Sequence, residues 1–172
     1  MADHDSDYSA EDHQKLWGMI KDIRFAMLTT RHADGELRSH PMTTQNSSVD
    51  DRGTLWFFMS RHGEPALDLA SDPIVNVAYA DTGDDCYVSV SGSASVVEDA
   101  AKKHALWSKL AAAWFPQGPD DPDLALVAVR ISRADYWDVK ESKMVQLWAM
   151  AKAAMTGRPP VNLGERGSVR MS

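Results

Sequence analysis

The residues able to do chemistry in this sequence do not cluster by type. Histidines stand at 4, 13, 32, 40, 62 and 104. None is spaced H-x-x-x-H or H-E-x-x-H, as two metal ligands on one helix face would be. Cys86 is the single cysteine, so it makes neither an internal disulfide nor a zinc ribbon, and it reads as a small core residue. No glycine-rich phosphate loop of the dinucleotide or P-loop kind occurs. Ser91-Gly-Ser-Ala-Ser95 has the wrong spacing for a nucleophile elbow. Asp84-Asp85 and Asp120-Asp121 sit in turn-rich stretches and read as solvated loops. Two runs remain, Arg38-Ser-His-Pro-Met-Thr-Thr-Gln45 and Leu55-Trp-Phe-Phe-Met-Ser-Arg61. No catalytic acid–base pair shows itself in them, and motif logic alone gives a soluble α+β domain.

Hydrophobic periodicity supplies the elements that must carry these runs. A helix starts near Ser9, with Glu11 and Asp12 in its first turn and Leu16, Met19, Ile20 and Ile23 on one face. Strands follow at Phe25–Thr30 and Glu36–Asn46, joined by a turn whose Asp34-Gly35 suits positive φ. Pro41 costs the second strand a ladder donor, which places it at an edge or a bulge. Thr54–Ser60 is an aromatic strand, and Glu64–Ala70 a short helix whose Leu67 and Ala70 share a face. Ile74–Ala80 and Cys86–Val97 are further strands, the second with Gly92 at a bulge or close approach. One helix spans Glu98 to about Trp114, strands follow at Leu124–Ile131 and Ala134–Val139, and a last helix covers Ser142–Met155. Short strands joined by tight turns, without βαβ alternation, predict an antiparallel barrel or sandwich with peripheral helices. The expected organisation is a loose acidic terminus over 1–8, one domain over 9–155 and an irregular, basic tail over 156–172.

Three blocks in this order resemble the pyridoxamine 5′-phosphate oxidase-like flavin-binding split barrels, and within them the general stress protein group. They are Arg38–Gln45; Leu55–Arg61 with Asp72-Pro-Ile-Val-Asn-Val77; and Tyr87-Val-Ser-Val-Ser-Gly92 with Trp107, Trp114-Phe-Pro, Gly118–Asp123 and Tyr136-Trp137. The resemblance covers roughly residues 10–150. It implies an α+β, mainly β fold, a six-stranded antiparallel split β-barrel with flanking helices. It also implies a homodimer with flavin mononucleotide (FMN) at the shared interface. In that reading Ser39, His40, Pro41, Met42, Thr43 and Gln45 run beside the isoalloxazine ring, and Phe58 lies on its face. Met59, Ser60 and Arg61 approach the ribityl phosphate, while Tyr87, Ser89, Trp114 and Trp137 come from the second subunit. His40 stands where relatives often carry arginine, and Gly63-Glu64-Pro65 brings a carboxylate to the phosphate end. The activity implied is hydride transfer between a nicotinamide donor and an acceptor. The alternatives are a non-enzymatic flavin carrier or sensor, or a split barrel holding heme (with His40 or His62 as axial ligand) or a deazaflavin.

Composition bounds the rest. The chain has 172 residues, 44% hydrophobic and 25% charged, with a formal net charge of −7. These values fit one soluble globular domain. An acidic balance argues against a general nucleic-acid binder. No apolar run approaches the roughly 18–20 residues of a membrane span. A single thiol and the absence of a signal-like leader fit a reducing cytoplasm.

Overall fold

The computed structural model describes residues 10–49, 53–138, 143–157 and 165–170. The expected loose terminus and the Ser9 cap lie outside the described residues. The elements are α1 (Ala10–Ile20), β1 (Ala26–Arg31), β2 (Leu37–Met42), β3 (Thr54–Ser60), α2 (Glu64–Ser71), β4 (Ile74–Asp81), β5 (Cys86–Val97), α3 (Ala100–Leu106), α4 (Lys109–Trp114), β6 (Leu124–Asp138), α5 (Lys143–Thr156) and β7 (Glu165–Arg170). No described helix is long and apolar enough to cross a membrane.

Six strands form one antiparallel path, β2-β1-β4-β5-β6-β3, and β7 adds to β6. This is the expected split barrel with flanking helices. The sheet does not close: β2 and β3 end the path and meet only at an isolated bridge, Thr44↔Phe57. Alternation turns Leu28, Phe57, Val77, Tyr79, Val88, Val90, Val127 and Val129 inward to a fully buried core. Each such side chain is worth roughly 1.5–3 kcal/mol by its burial. Leu16 and Ile20 of α1 join that core, with Met19 and Ile23 packed against it. A second, outer cluster puts Phe58, Leu124 and Leu126 beneath the α3–α4 region, with Ala111, Trp107 and Phe115.

The strand expected over Glu36–Asn46 is shorter, β2 ending at Met42 where the chain leaves β1 to cross to β3, and four further details differ from the sequence reading, each for a local reason. The two strands expected at 124–131 and 134–139 are one strand, β6. Its register shifts where Ser91 faces Arg133 and Gly92 faces Ile131. Ser132 is therefore the extra residue of a bulge, and its hydroxyl donates to the Ser91 carbonyl at 3.0 Å. The bulge moves the inward set from 127, 129 and 131 to 134 and 136, and this phase break looked like a gap between strands. Gly92 is needed there, because a Cβ would lie 2.3 Å from the Arg130 carbonyl oxygen. The helix expected over 98–114 is two helices: Trp107 is extended, and the Ser108 hydroxyl caps α4 by accepting from Ala111 N–H.

The tail over 156–172 was expected to be irregular, yet residues 165–170 form β7, with Gly167 opposite Tyr136. A Cβ on Gly167 would lie 2.3 Å from the tyrosine oxygen, so glycine lets this strand lie over the ring. Finally, α2 turns Pro65, Ala66, Asp68 and Leu69 inward, while Leu67 is 59% exposed. The reason is polar. Asp68 accepts from the buried Thr30 hydroxyl at 2.7 Å and pairs with His32 Nδ1 at 2.8 Å.

Burial alone would raise the Asp68 pKa, but the hydrogen bonds from Thr30 and His32 and the charges of His32 and Arg38 outweigh it and hold the carboxyl below its ordinary value. A depressed carboxyl stabilises the fold fully above the unfolded range near pH 4, and that contribution is lost as pH falls through the native value. Asp68→Asn should therefore cost about 1–3 kcal/mol at pH 7. The deficit should shrink below about pH 4, as read by urea unfolding at both pH values.

Candidate functional site

The split between β2 and β3 is built by a short crossing of the chain. After β2 the backbone leaves β1 and reaches β3, where Thr44 bridges Phe57 and Gln45 N–H donates to the Trp56 carbonyl at 2.8 Å. The Asn46 side chain then serves as a further rung: Oδ1 accepts from Trp56 N–H at 2.7 Å, and Nδ2 donates to the Thr54 carbonyl at 2.8 Å. Inside, Thr44 Oγ1 and the Tyr79 hydroxyl lie 2.7 Å apart. Burial pushes the Tyr79 phenol up to about 12, so it stays protonated across the physiological range.

Counting antiparallel from the bridge sets Thr43 alongside Phe58, Met42 alongside Met59 and Pro41 alongside Ser60, and none of these is paired as sheet. The two strands therefore diverge from a narrow end to a wide one. β2 pairs only with β1, so part of its backbone hydrogen-bonding capacity faces this opening, and Pro41 brings no N–H.

A cavity of about 340 Å³ occupies the opening. Its walls are Pro41, Met42, Thr43 and Gln45 on one side and Phe58, Met59 and Ser60 on the other. Leu110, Ala111, Trp114 and Phe115 at α4 form a third wall. Phe25 stands at the narrow end, under the Arg24 guanidinium at 5.0 Å from the ring centroid. Gly63, Pro65 and Asp123 bound the wide end. Phe58 is held by Trp107, ring centroids 5.9 Å apart and planes tilted by 50°. The chemistry on offer is an apolar slot, with hydroxyls and amide groups along one edge and a single carboxylate at one end.

Of the residues singled out from sequence, Pro41, Met42, Thr43, Gln45, Phe58, Met59, Ser60 and Trp114 line this cavity. The others lie elsewhere. Ser39 is on the outer face of β2, its hydroxyl 2.7 Å from that of Thr29. His40 pairs in register with Leu28, and its buried Nε2 has no hydrogen-bond partner among the described residues. Arg61 is bound to Glu98 at 2.7 Å and borders a separate acidic hollow with Asp99, Lys103, Asp120 and Asp121. Tyr87, Ser89 and Trp137 belong to the outer sheet face, where Tyr87 sits opposite both Ala80 and Trp137. Neither His40 nor His62, the candidate heme ligands, lines the cavity.

Sequence reasoning did not single out Phe25, Leu110, Ala111, Phe115 or Asp123 as site residues. Asp123 ends the loop that enters β6, one residue before Leu124, the partner of Ser60; that pairing is a tertiary register and left no signal in the sequence. Its Oδ1 accepts from Ser60 Oγ at 3.0 Å and lies 2.7 Å from His62 Nδ1. These contacts, the Ser60 bond foremost, lower its pKa and keep it ionised.

This fold defines a split barrel with an apolar cavity between its two end strands. Residues 11–160 match the family described as pyridoxamine 5′-phosphate oxidase like, and the chain belongs to that family. A solved structure from Jannaschia sp. CCS1, assigned to general stress protein 26, has 27% identity and a TM-score of 0.73 over 95% of this chain and 100% of its own. The general stress FMN/FAD binding protein of Xanthomonas citri has 31% identity and a TM-score of 0.63, covering 78% of this chain and 93% of its own. Protein bli-3 of Neurospora crassa is 28% identical over 150 residues, 79% of this chain and 69% of its own.

Asn46→Ala removes the side-chain rung and leaves the Trp56 amide without its acceptor. It should cost about 1–3 kcal/mol and speed hydrogen exchange at the Trp56 amide by at least about tenfold relative to amides within the β4–β5 ladder. Unchanged exchange there would show that the rung does not hold the crossing.

Proposed function

We propose that this chain is a flavin-binding protein of the general stress type, with FMN as the cofactor the family resemblance implies and the β2–β3 cavity as the site of the isoalloxazine ring. The carrying observation is the cavity itself. An isoalloxazine is a flat, largely apolar slab with a polar edge, and it needs apolar contacts on its faces and a few donors and acceptors at its rim. Met42, Phe58, Phe115 and Trp114 provide the first, and the backbone of 41–43 with Thr43 and Gln45 the second. The name of the Xanthomonas citri relative, an FMN/FAD binding protein, supports the same reading. A bound flavin supplies hydride and electron transfer; this chain's residues orient it and shield it from water. If the protein turns over, it would pass hydride from a nicotinamide donor to an acceptor that remains to be identified. If not, it acts as a flavin carrier or sensor in the cytoplasm.

The partner in this reading is a second copy. The outer sheet face presents a row of small or slender side chains running in register, Pro41↔Met27↔Ala78↔Ser89↔Asp135. Tyr87, Trp137 and Met27 are each about two-fifths exposed on that face. Such a flat, mixed surface suits a self-complementary contact, and the row begins at Pro41, a wall of the cavity. Docking there would bring the second copy to the open slot.

The test is an absorption spectrum of the purified protein after FMN is added and the excess dialysed away, followed by assay of nicotinamide oxidation. Retention of the two oxidised-flavin bands is expected. A colourless protein would overturn the flavin reading, and a Soret band would replace it with heme. Ala78→Arg should convert a dimer to a monomer in analytical ultracentrifugation and weaken flavin retention in parallel. Wild-type protein that sediments as a monomer would sink the dimer proposal.

A further inference from the structure

The fifteen residues lining the cavity include no lysine, arginine or histidine. Their single formal charge is the carboxylate of Asp123, at the wide end with Ser60 and Gly63. Among the described residues, the two guanidiniums near that end are engaged by other acids. Arg38 is held by Glu64 and Asp34, the latter at 2.8 Å, with Glu36 at 3.4 Å. Arg61 is held by Glu98 on the separate hollow. His62 lies against Asp123 but is 81% exposed and lines no part of the cavity. Arg24 is at the opposite, narrow end, stacked on Phe25.

In the proposed pose the ring occupies the apolar part of the slot and the ribityl chain runs to the wide end, where Ser60, Gly63 and Asp123 stand. FMN carries there a phosphate that is largely dianionic at neutral pH, and a phosphate site is ordinarily built from guanidinium, ammonium or convergent N–H groups. Here it meets a carboxylate fixed by two hydrogen-bonding contacts. Gly63 does precede the first turn of α2, which favours anions, but Glu64 occupies that turn with a charge of its own.

Resting on the flavin reading, we propose that the cavity recognises the isoalloxazine and selects against the 5′-phosphate, with Asp123 as the residue that sets this preference. Riboflavin, identical except for the missing phosphate, then binds at least as tightly as FMN. The chain is thus a ring-specific site that accepts flavins without regard to, or in spite of, their phosphate.

The experiment is a pair of fluorescence-quenching titrations of the full-length protein, one with riboflavin and one with FMN. Each is repeated on Asp123→Asn and on Leu110→Lys, which adds a cation to the same cavity wall. In the wild type, riboflavin is expected to bind about fivefold more tightly than FMN, the size of a partly screened charge repulsion. Asp123→Asn should bring the two dissociation constants within about twofold by improving FMN alone. Leu110→Lys should favour FMN by about fivefold or more, which keeps the test in force if the Asn variant fails to fold. Wild-type FMN binding about tenfold tighter than riboflavin would overturn the proposal, because a cation (from the second copy, for example) would then hold the phosphate. A riboflavin-to-FMN ratio unchanged in both variants would overturn it equally. Failure of the wild type to quench either flavin would instead reject the flavin reading beneath it.

Discussion

The structure depends on how the chain crosses from β2 to β3. Thr44, Gln45 and Asn46 tie the two end strands of the open sheet together at one point, with one backbone bridge, one backbone hydrogen bond and one side chain standing in for a strand. Such a tie covers part of the two exposed edges, which is favourable for an open sheet. Between Pro41 and Ser60 the strands stay apart and leave backbone groups without sheet partners, which is unfavourable unless something covers them. The fold accepts that cost at one place. Around it every neighbouring element is braced: Tyr79 holds Thr44 from within, Trp107 holds Phe58 from outside, and Asp68 ties α2 to Thr30 and His32. In the flavin reading, a slot braced in this way takes its ligand with little rearrangement of its own.

Electrostatics give the slot its polarity. The acids of the molecule are not spread evenly around it. Glu64, Asp34 and Glu36 engage Arg38, Glu98 engages Arg61, and Asp123 alone reaches the cavity. The guanidiniums that sequence position offered for an anion thus have partners already. Exposed pairs of this sort contribute little stability, so their effect is on what the cavity can hold more than on whether the barrel folds. The outer sheet face, by contrast, pairs its polar groups among themselves, Thr29 with Ser39, Asn76 with Ser89 and Arg133 with Asp135. That leaves a surface with its polar groups largely satisfied and large apolar side chains exposed, Leu37, Ile74, Met27, Tyr87 and Trp137 among them.

Much of this was legible in the sequence. Alternation and turn chemistry placed β5 at Cys86–Val97 and β3 at Thr54–Ser60, residue for residue. Asp34-Gly35 marked a turn whose glycine has φ +89°. Pro41 marked an edge strand, and β2 is one. Half of the cavity followed from the two runs that flank it, through the family resemblance that Arg38–Gln45 and Leu55–Arg61 carry. The remainder was illegible for identifiable reasons. The Ser132 bulge inverted the phase of β6, so one strand read as two. Asp68 faced inward for hydrogen bonds that no hydropathy pattern encodes. Arg61 and Trp137 have residue types that suit a site, but partners and faces are fixed only by tertiary register. Asp123 reaches the cavity across a strand pair, a relation between residues sixty-three apart.

The central claim is that the diverging ends of β2 and β3 form the ligand site. Hydrogen–deuterium exchange with and without saturating riboflavin tests it most directly, since exchange reports protection residue by residue. The account predicts slowed exchange concentrated at 41–45, 58–60 and 110–115, the walls of the cavity. Protection confined instead to the acidic hollow around Arg61, Glu98 and Lys103, with those three segments unchanged, would contradict it.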